Sequence, residues 1–302
     1  MIAVAVFIFA VAIGLVLAVC LGWHIERCCR VLTAHQAIPM SQHLPTTPPI
    51  LFAGDPHGRF EHLLTVVRAQ RPRALVLLGD IEAPVPLQEL MAPIEALGTQ
   101  VWFIPGNHDT DRAPSWAALQ AWPERNLHGR VVEVAGVRIA GLGGIFRDEI
   151  WRPENPMAPQ FDSLPAYLDH LRRCTHPDDW DIRQQSLQVI KHHSSLFPDV
   201  FDVLAAQDAD VLVTHEAPSC HPQGFAVIDD LARALRVHTL FHGHHHDCLD
   251  YSGSTAALGF RAHGVGLRGI SALDGTVLRP GERDAARALQ RAPVTPSPPP
   301  TG

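Results

Sequence analysis

Apolar positions in this chain come in short runs, most of them closed by a glycine or a charged turn. Ile50–Ala53 stops at Gly54, Ala74–Leu78 stops at Gly79, and Val101–Ile104 leads into Pro105 and Gly106. Runs this short, bounded this way, predict buried strands. Between them lie patterns with a helical period. Phe60, Leu63, Leu64 and Val67 form one stripe along 60–70, and Leu87–Leu97 carries a second. Val131–Val134 and Val137–Ala140 read as a hairpin around Gly136. Val211–Thr214 and Thr239–Phe241 are again strands, with a helix over Ile228–Val237 between them. Strand and helix alternate, which predicts a largely parallel sheet covered on both faces. Ala256–Leu278 alternates glycine with aliphatic residues and reads as hairpins.

Three stretches break this rhythm. Met1–Trp23 contains no charged side chain and is long enough to cross a bilayer as one helix. No basic residue precedes it, whereas Arg27 and Arg30 follow it, so the positive-inside rule places the remainder in the cytoplasm. The expected localisation is therefore a single-pass membrane protein with a cytoplasmic catalytic domain. Met40 opens a second reading, a cytoplasmic protein translated from there. Residues 24–49 are a proline-containing juxtamembrane linker, and 281–302 end in a proline-rich tail expected to be disordered. Arg147–Trp180, with five prolines between its ends, is expected to be a long irregular loop, with a helix over Asp181–Leu196 after it. Residues 145–200 together read as a lid insert, where Trp151 and Phe161 pack and His192 and His193 lie on the surface.

Composition adds two facts. Histidine is abundant, at 19 residues of 302, and the net charge of −7 offers no general attraction to nucleic acid. Six cysteines do not make a disulfide framework, and Cys174, Cys220 and Cys248, an odd set without CxxC spacing, fit a reducing compartment.

The histidines and acids are not scattered. Asp55 and His57 follow the first strand, Asp80 the second, and Gly106-Asn107-His108-Asp109 the third. His215 follows Val211–Thr214, and His242 to His246 follow Thr239–Phe241. Strand carboxyl ends are where open α/β sheets bind ligands. Asp, His and an Asn carbonyl suit Mn²⁺, Fe²⁺ or Zn²⁺, and one carboxylate can bridge two such ions. Each residue has a plainer reading: Asp55 and Asp80 as turn or capping residues, Asn107 as a left-handed turn residue, His215 as a hydrogen-bonded core histidine.

Taken in order, Asp55-x-His57, Gly79-Asp80, Gly106-Asn107-His108-Asp109, His215 and Gly243-His244-x-His246 resemble the calcineurin-like metallophosphoesterases, over about Ile50 to Asp247. The resemblance implies a four-layer α/β/β/α metallophosphoesterase sandwich, here over residues 50–280 and preceded by one N-terminal transmembrane helix. It implies two divalent metal ions (Mn, Fe or Zn). Asp55, His57 and His246 would hold the first, Asn107, His215 and His244 the second, and Asp80 would bridge them. His108 would face the substrate phosphate and protonate the leaving group, with Asp109 orienting it. His242 and His245 would stand outside the ligand set. Arg147 and Arg152 are candidates to clamp a phosphate. Ile81, Glu82 and Ala83 follow Asp80 where purple acid phosphatases carry a tyrosine ligand, so a tyrosinate-bound ferric ion is not expected.

The function implied is hydrolysis of a phosphate mono- or diester by metal-activated hydroxide, on a small or lipid-linked substrate. Membrane contact is expected through the N-terminal helix, and no nucleic-acid partner is expected. The alternatives are a catalytically silent scaffold or membrane-tethered adaptor, and a nuclease, which would need a basic groove that scattered arginines do not make.

Overall fold

The computed structural model describes residues 50–291 apart from Pro156, with side chains through residue 287. The apolar segment Met1–Trp23, the linker 24–49 with Cys28 and Cys29, and the tail beyond 291 lie outside the described residues. Among the described residues no helix is long and apolar enough to cross a membrane.

Among the described residues, ten strands form two five-stranded sheets. In the first, β1 (Ile50–Ala53), β2 (Ala74–Leu77) and β3 (Gln100–Phe103) run parallel. β9 (Ile270–Ala272) adds antiparallel to β1, and β10 (Val277–Arg279) pairs with β9. In the second, β4 (Val131–Val134) and β5 (Val137–Leu142) form the expected hairpin. β6 (Val211–Thr214), β7 (Thr239–His242) and β8 (Arg261–Gly264) then follow in parallel. The pattern predicted one sheet covered on both faces. There are two such sheets, and the expected terminal hairpins resolve into one parallel strand, β8, and one true hairpin, β9–β10.

Alternation along each strand builds the layers. Ile50, Phe52, Ala74 and Val76 face across to Ile139, Val211, Val213 and Phe241, forming a core between the sheets. The Phe52 and Phe241 rings stack there, with centroids 3.9 Å apart. Leu51, Ala53, Leu75 and Leu77 point the other way, against Leu63 and Val67 of α1 (Glu61–Gln70) and Met91 of α2 (Leu87–Glu95). On the far side Leu212 and Leu240 pack against Phe201 and Leu204 of α7 (Pro198–Ala205) and Ile228 and Leu231 of α8 (Ala226–Ala234). The strands read as unbroken apolar runs because a helix layer covers one face and the other sheet covers the second.

The segment after β5 differs from the expected loop. α4 (Leu164–Arg173) lies inside it, started by the Ser163 hydroxyl accepting from Ala166 N at 3.2 Å. Pro165 occupies the first turn of α4, where its missing N–H is harmless, so this proline opens a helix. The helix expected over Asp181–Leu196 is broken into α5 (Trp180–Gln184), α6 (Leu187–Ile190) and a 3₁₀ turn over Lys191–Ser194. Ser186 makes the break, its hydroxyl donating back to Arg183 O at 2.7 Å. The insert has a small core of Ile150, Tyr167 and Phe197, where Trp151 and Phe161 pack as expected. His192, expected at the surface, is buried there against Tyr167 and hydrogen-bonds Ser195 Oγ at 3.0 Å. At the carboxyl end, α10 (Asp284–Arg291) is helical where a disordered tail was expected to start at 281. Arg287 anchors it by donating to Asp247 Oδ2 at 2.9 Å and to the carbonyl of His245.

Candidate dimetal centre

The parallel strands of both sheets present their carboxyl ends to one region, and the predicted ligands meet there. Asp80, beyond β2, is 1% exposed, and its carboxylate divides between two groups of histidines. Oδ1 lies 3.3 Å from His215 Nε2, and Oδ2 lies 3.7 Å from His57 Nε2. Donor atoms of His57, Asp80 and His246 all lie within 4.8 Å of one another, as do those of Asp80, His215 and His244. His57 Nε2 and His246 Nε2 face each other at 2.9 Å. Asn107 Oδ1 is 3.1 Å from His215 Nε2. Asp55, fully buried beneath, accepts the backbone N–H of His244 at 3.0 and 3.1 Å and lies 3.8 Å from His215 Nδ1. All seven predicted ligands therefore share one site.

The backbone is bent to achieve this. Asp55, His57, Asp80, Glu82, His244 and His246 all have positive φ, between 39° and 69°. Non-glycine residues adopt that region rarely, and clusters of them accompany functional sites. Gly106 is required by close approach. A Cβ there would lie 2.3 Å from both Asp80 N and Asp80 Oδ1, and 2.6 Å from His215 Cε1.

Two observations make this donor set fit a pair of divalent cations. Asp80 Oδ2 is buried without any hydrogen-bond partner, which is costly unless something else satisfies it. Two imidazole Nε2 atoms, those of His57 and His246, converge on the same place. Electrostatics set the charge each donor carries. Burial alone would raise the Asp80 pKa, but the charge of His215 and its hydrogen bond outweigh that and hold the carboxylate ionised. Asp80 in turn drives His215 upward against its own burial, to about 10, so this ring carries a proton that a cation would have to displace. Burial pushes His244 down to about 3 and His246 down to about 4, so both rings are neutral and keep a lone pair to offer.

His108 stands at the mouth. Its backbone N–H donates to Asp80 Oδ1 at 2.8 Å, and its Nδ1 lies 2.6 Å from Asp111 Oδ2. The expected partner, Asp109, does not orient it. The Asp109 carboxylate is fully buried and accepts from Glu82 N and Gly106 N, both at 2.7 Å. Asp109 staples the loop after β2 to the loop after β3, and Asp111 supports His108. Arg152 is engaged by carboxylates of its own loop, Glu154 at 3.2 Å and Asp148 at 3.8 Å, which hold it on the exposed side. Arg147 is half-buried, with Nη2 3.5 Å from Ser194 Oγ; burial lowers its pKa, and the charges of Glu149, Asp111, Glu216 and Asp80 oppose that.

The residue pattern did not single out Asp111, Glu82 or Glu216. Glu82 Oε1 lies 2.5 Å from His57 Nδ1. Glu216, 5% exposed, accepts from Phe146 N at 3.2 Å and places Oε2 4.0 Å from His244 Nε2. Such carboxylates set the orientation of ligating imidazoles. Their signal was proximity, since each stands one to three residues from a predicted functional residue. Of the expected outsiders, His242 is buried against the Tyr251 hydroxyl at 3.1 Å. His245 forms, with Glu216 and His244, a third group of potential donors.

Comparison with known proteins places this geometry in a lineage. The calcineurin-like phosphoesterase family matches residues 48–248. An uncharacterized protein of Haemophilus influenzae (strain Rd) is 38% identical over 233 residues, covering 76% of this chain and 96% of that protein. Among solved structures the chain is similar to TT1561 of Thermus thermophilus, with TM-score 0.46 and 14% identity over 78% of this chain and 99% of that one. It is also similar to a dimetal phosphatase from Danio rerio, with TM-score 0.40 and 15% identity over 75% and 93% of the respective chains. With the ordered ligands gathered at one edge and the family matched from before β1 to beyond β7, the chain belongs to the calcineurin-like phosphoesterases.

Proposed function

We propose that the Asp80 cluster hydrolyses a small phosphate ester. The observation that carries this reading is the divided carboxylate of Asp80, with one oxygen toward His215 and the other, unpaired, toward His57. His57, Asp80 and His246 would hold one cation, and Asp80, His215 and His244 the other, with Asp55 and Asn107 completing the donor set. The oxygen- and imidazole-rich donors suit Mn²⁺, Fe²⁺ or Zn²⁺. A divalent pair at such a place supplies acidification of water and neutralisation of phosphoryl charge.

The chain's own side chains do the rest. His108 is half-exposed beside the cluster, with Nδ1 engaged by Asp111, which leaves Nε2 for the substrate. Burial opposes its protonation, but Asp80 and Asp111 outweigh burial and raise its pKa, favouring the form that donates a proton. His108 therefore donates to a nonbridging oxygen and then protonates the leaving alkoxide. Asp109 fixes the two loops so that Asp80 and His108 keep their spacing.

The test is hydrolysis of p-nitrophenyl phosphate and its bis ester with Mn²⁺, against an EDTA control. Asp80→Asn is expected to lose bound metal and turnover together, by about 10²-fold or more. Full activity in Asp80→Asn would overturn the reading. Stoichiometric metal in the wild type without turnover on either ester would favour a silent scaffold.

A further inference from the structure

His246 is braced from outside the sheets. Its φ is 58°, a conformation that a non-glycine residue keeps only where its surroundings impose it. One guanidinium holds the residues on either side of it. Arg287, in α10, donates through Nη1 to the His245 carbonyl and to Asp247 Oδ2, the latter at 2.9 Å. Asp247 is 3% exposed, and a carboxylate buried that deeply needs a cationic partner. Its other oxygen, Oδ1, lies 3.7 Å from His221 Nε2.

A second arm of the same segment reaches the other ligand loop. Glu282 N donates to Leu267 O at 2.9 Å, and Glu282 Oε2 accepts from Arg268 Nη1 at 2.5 Å. Arg268 Nε then donates to Pro56 O at 3.1 Å, and Arg268 N to Gly54 O at 2.9 Å. His57 is the next residue and also has a positive φ, 44°. Asp284 closes the segment on itself, Oδ2 accepting from Gly281 N at 2.7 Å. Residues 281–287 thus brace His57 and His246, which with Asp80 make one of the two donor groups. His215, in the other group, is held by the sheets themselves. Its Nδ1 donates to Leu78 O at 2.7 Å and its N to Leu142 O at 3.1 Å. The bracing segment lies beyond residues 48–248, the part matched by the family.

Resting on the cation-pair reading above, we propose that Arg287 is a positioning residue for one cation of the pair, and that residues 281–287 form a clasp which sets the affinity of the His57–Asp80–His246 group and not that of the other. The sign of the effect separates a clasp from simple charge. Removing a nearby positive charge by itself tightens the binding of a dication. Removing a brace loosens it. Arg283 supplies the contrast, with Nη1 3.2 Å from His246 Nδ1. A guanidinium only donates, so this contact keeps the ring proton on Nε2, and the exposed Arg283 has to turn away before Nε2 can serve a cation.

The experiment titrates Mn²⁺ into the chelator-stripped full chain by calorimetry, with electron paramagnetic resonance on the same samples. The wild type is expected to bind two ions that are magnetically coupled. In Arg287→Met one of them should bind about 10–100-fold more weakly while the other keeps its affinity, and the coupled spectrum should give way to that of an isolated ion. Arg287→Lys, which keeps a charge and a donor, should fall between. Arg283→Met should bind both ions at least as tightly as the wild type. Unchanged affinities in Arg287→Met, equal weakening of both ions, or the same weakening in Arg283→Met overturns the clasp. A wild type that binds no pair of ions overturns the cation-pair reading and the clasp with it. A wild type that binds the pair but hydrolyses neither ester fails only as a hydrolase, and the titration still decides Arg287. If Arg287→Met does not fold, Glu282→Ala is measured in its place: selective weakening of one ion supports the clasp, and unchanged affinities overturn it.

Discussion

Asp80 and Asp109 show how one residue type takes different roles a few ångströms apart. Asp80 is kept charged by His215 and leaves one oxygen unpaired. Asp109 has both oxygens on backbone N–H groups, and burial, with Asp80 nearby, pushes its pKa up to about 7. Neighbours in sequence suggested Asp109 as the partner of His108. The 3₁₀ turn over His108–Thr110 instead brings Asp111, three residues on, beside the ring. His108→Ala is expected to lower kcat by about 10²–10⁴-fold with both metals retained. Asp111→Asn should lower kcat by about tenfold, again with full metal content. Stopped assays with metal analysis on the same samples check both. If Asp109→Asn reproduced the kinetic effect in a normally folded protein while Asp111→Asn did not, the support of His108 would revert to Asp109.

At the scale of elements, strands were more legible than the insert. Four-residue apolar runs closed by glycine have few alternatives once both sheet faces are buried. The insert was misread because proline weighs differently by position. Pro165 and Pro177 sit in first turns, where they start helices, and Ser186 breaks what looked like a continuous stripe. The uncharged run Met1–Trp23, outside the described residues, is proposed as a cytoplasm-facing membrane tether. Fractionation of the expressed protein is expected to place an uncleaved product in the membrane fraction. A soluble product beginning near Met40 would remove the tether and leave the hydrolytic domain unchanged.

For the molecule as a whole, the inter-sheet core sets the position of everything else. Phe52 and Phe241 lock β1 against β7, and the loops that follow those strands carry Asp55 and His244. His128 ties the approach to β4 back to the end of β5, its Nδ1 accepting from Gly143 N at 3.0 Å. Burial pushes its pKa from 6.5 down to about 4. The ring is neutral when folded, whereas the unfolded chain takes up a proton below about 6.5. Its contribution to stability is therefore complete above that pH and is lost as pH falls toward about 4. His128→Asn retains an acceptor without titrating, so its urea midpoint should depend less steeply on pH across that window. Equal slopes for the two proteins would place the acid sensitivity elsewhere.

By itself the sequence determined the order of the strands' carboxyl ends and the donors each one carries. Those are local properties: a hydrophobic run, a glycine, then an acid or imidazole. From them seven candidate ligand positions and the family could be read. Only the tertiary structure decided which carboxylate supports which histidine, since Glu82, Asp111 and Glu216 reach their partners through backbone turns that no periodicity encodes. It also decided that Arg287 braces the neighbours of His246 while Arg152 is neutralised in its own loop. Pairing of charges depends on distances between segments far apart in sequence, and those distances exist only once the two sheets have packed.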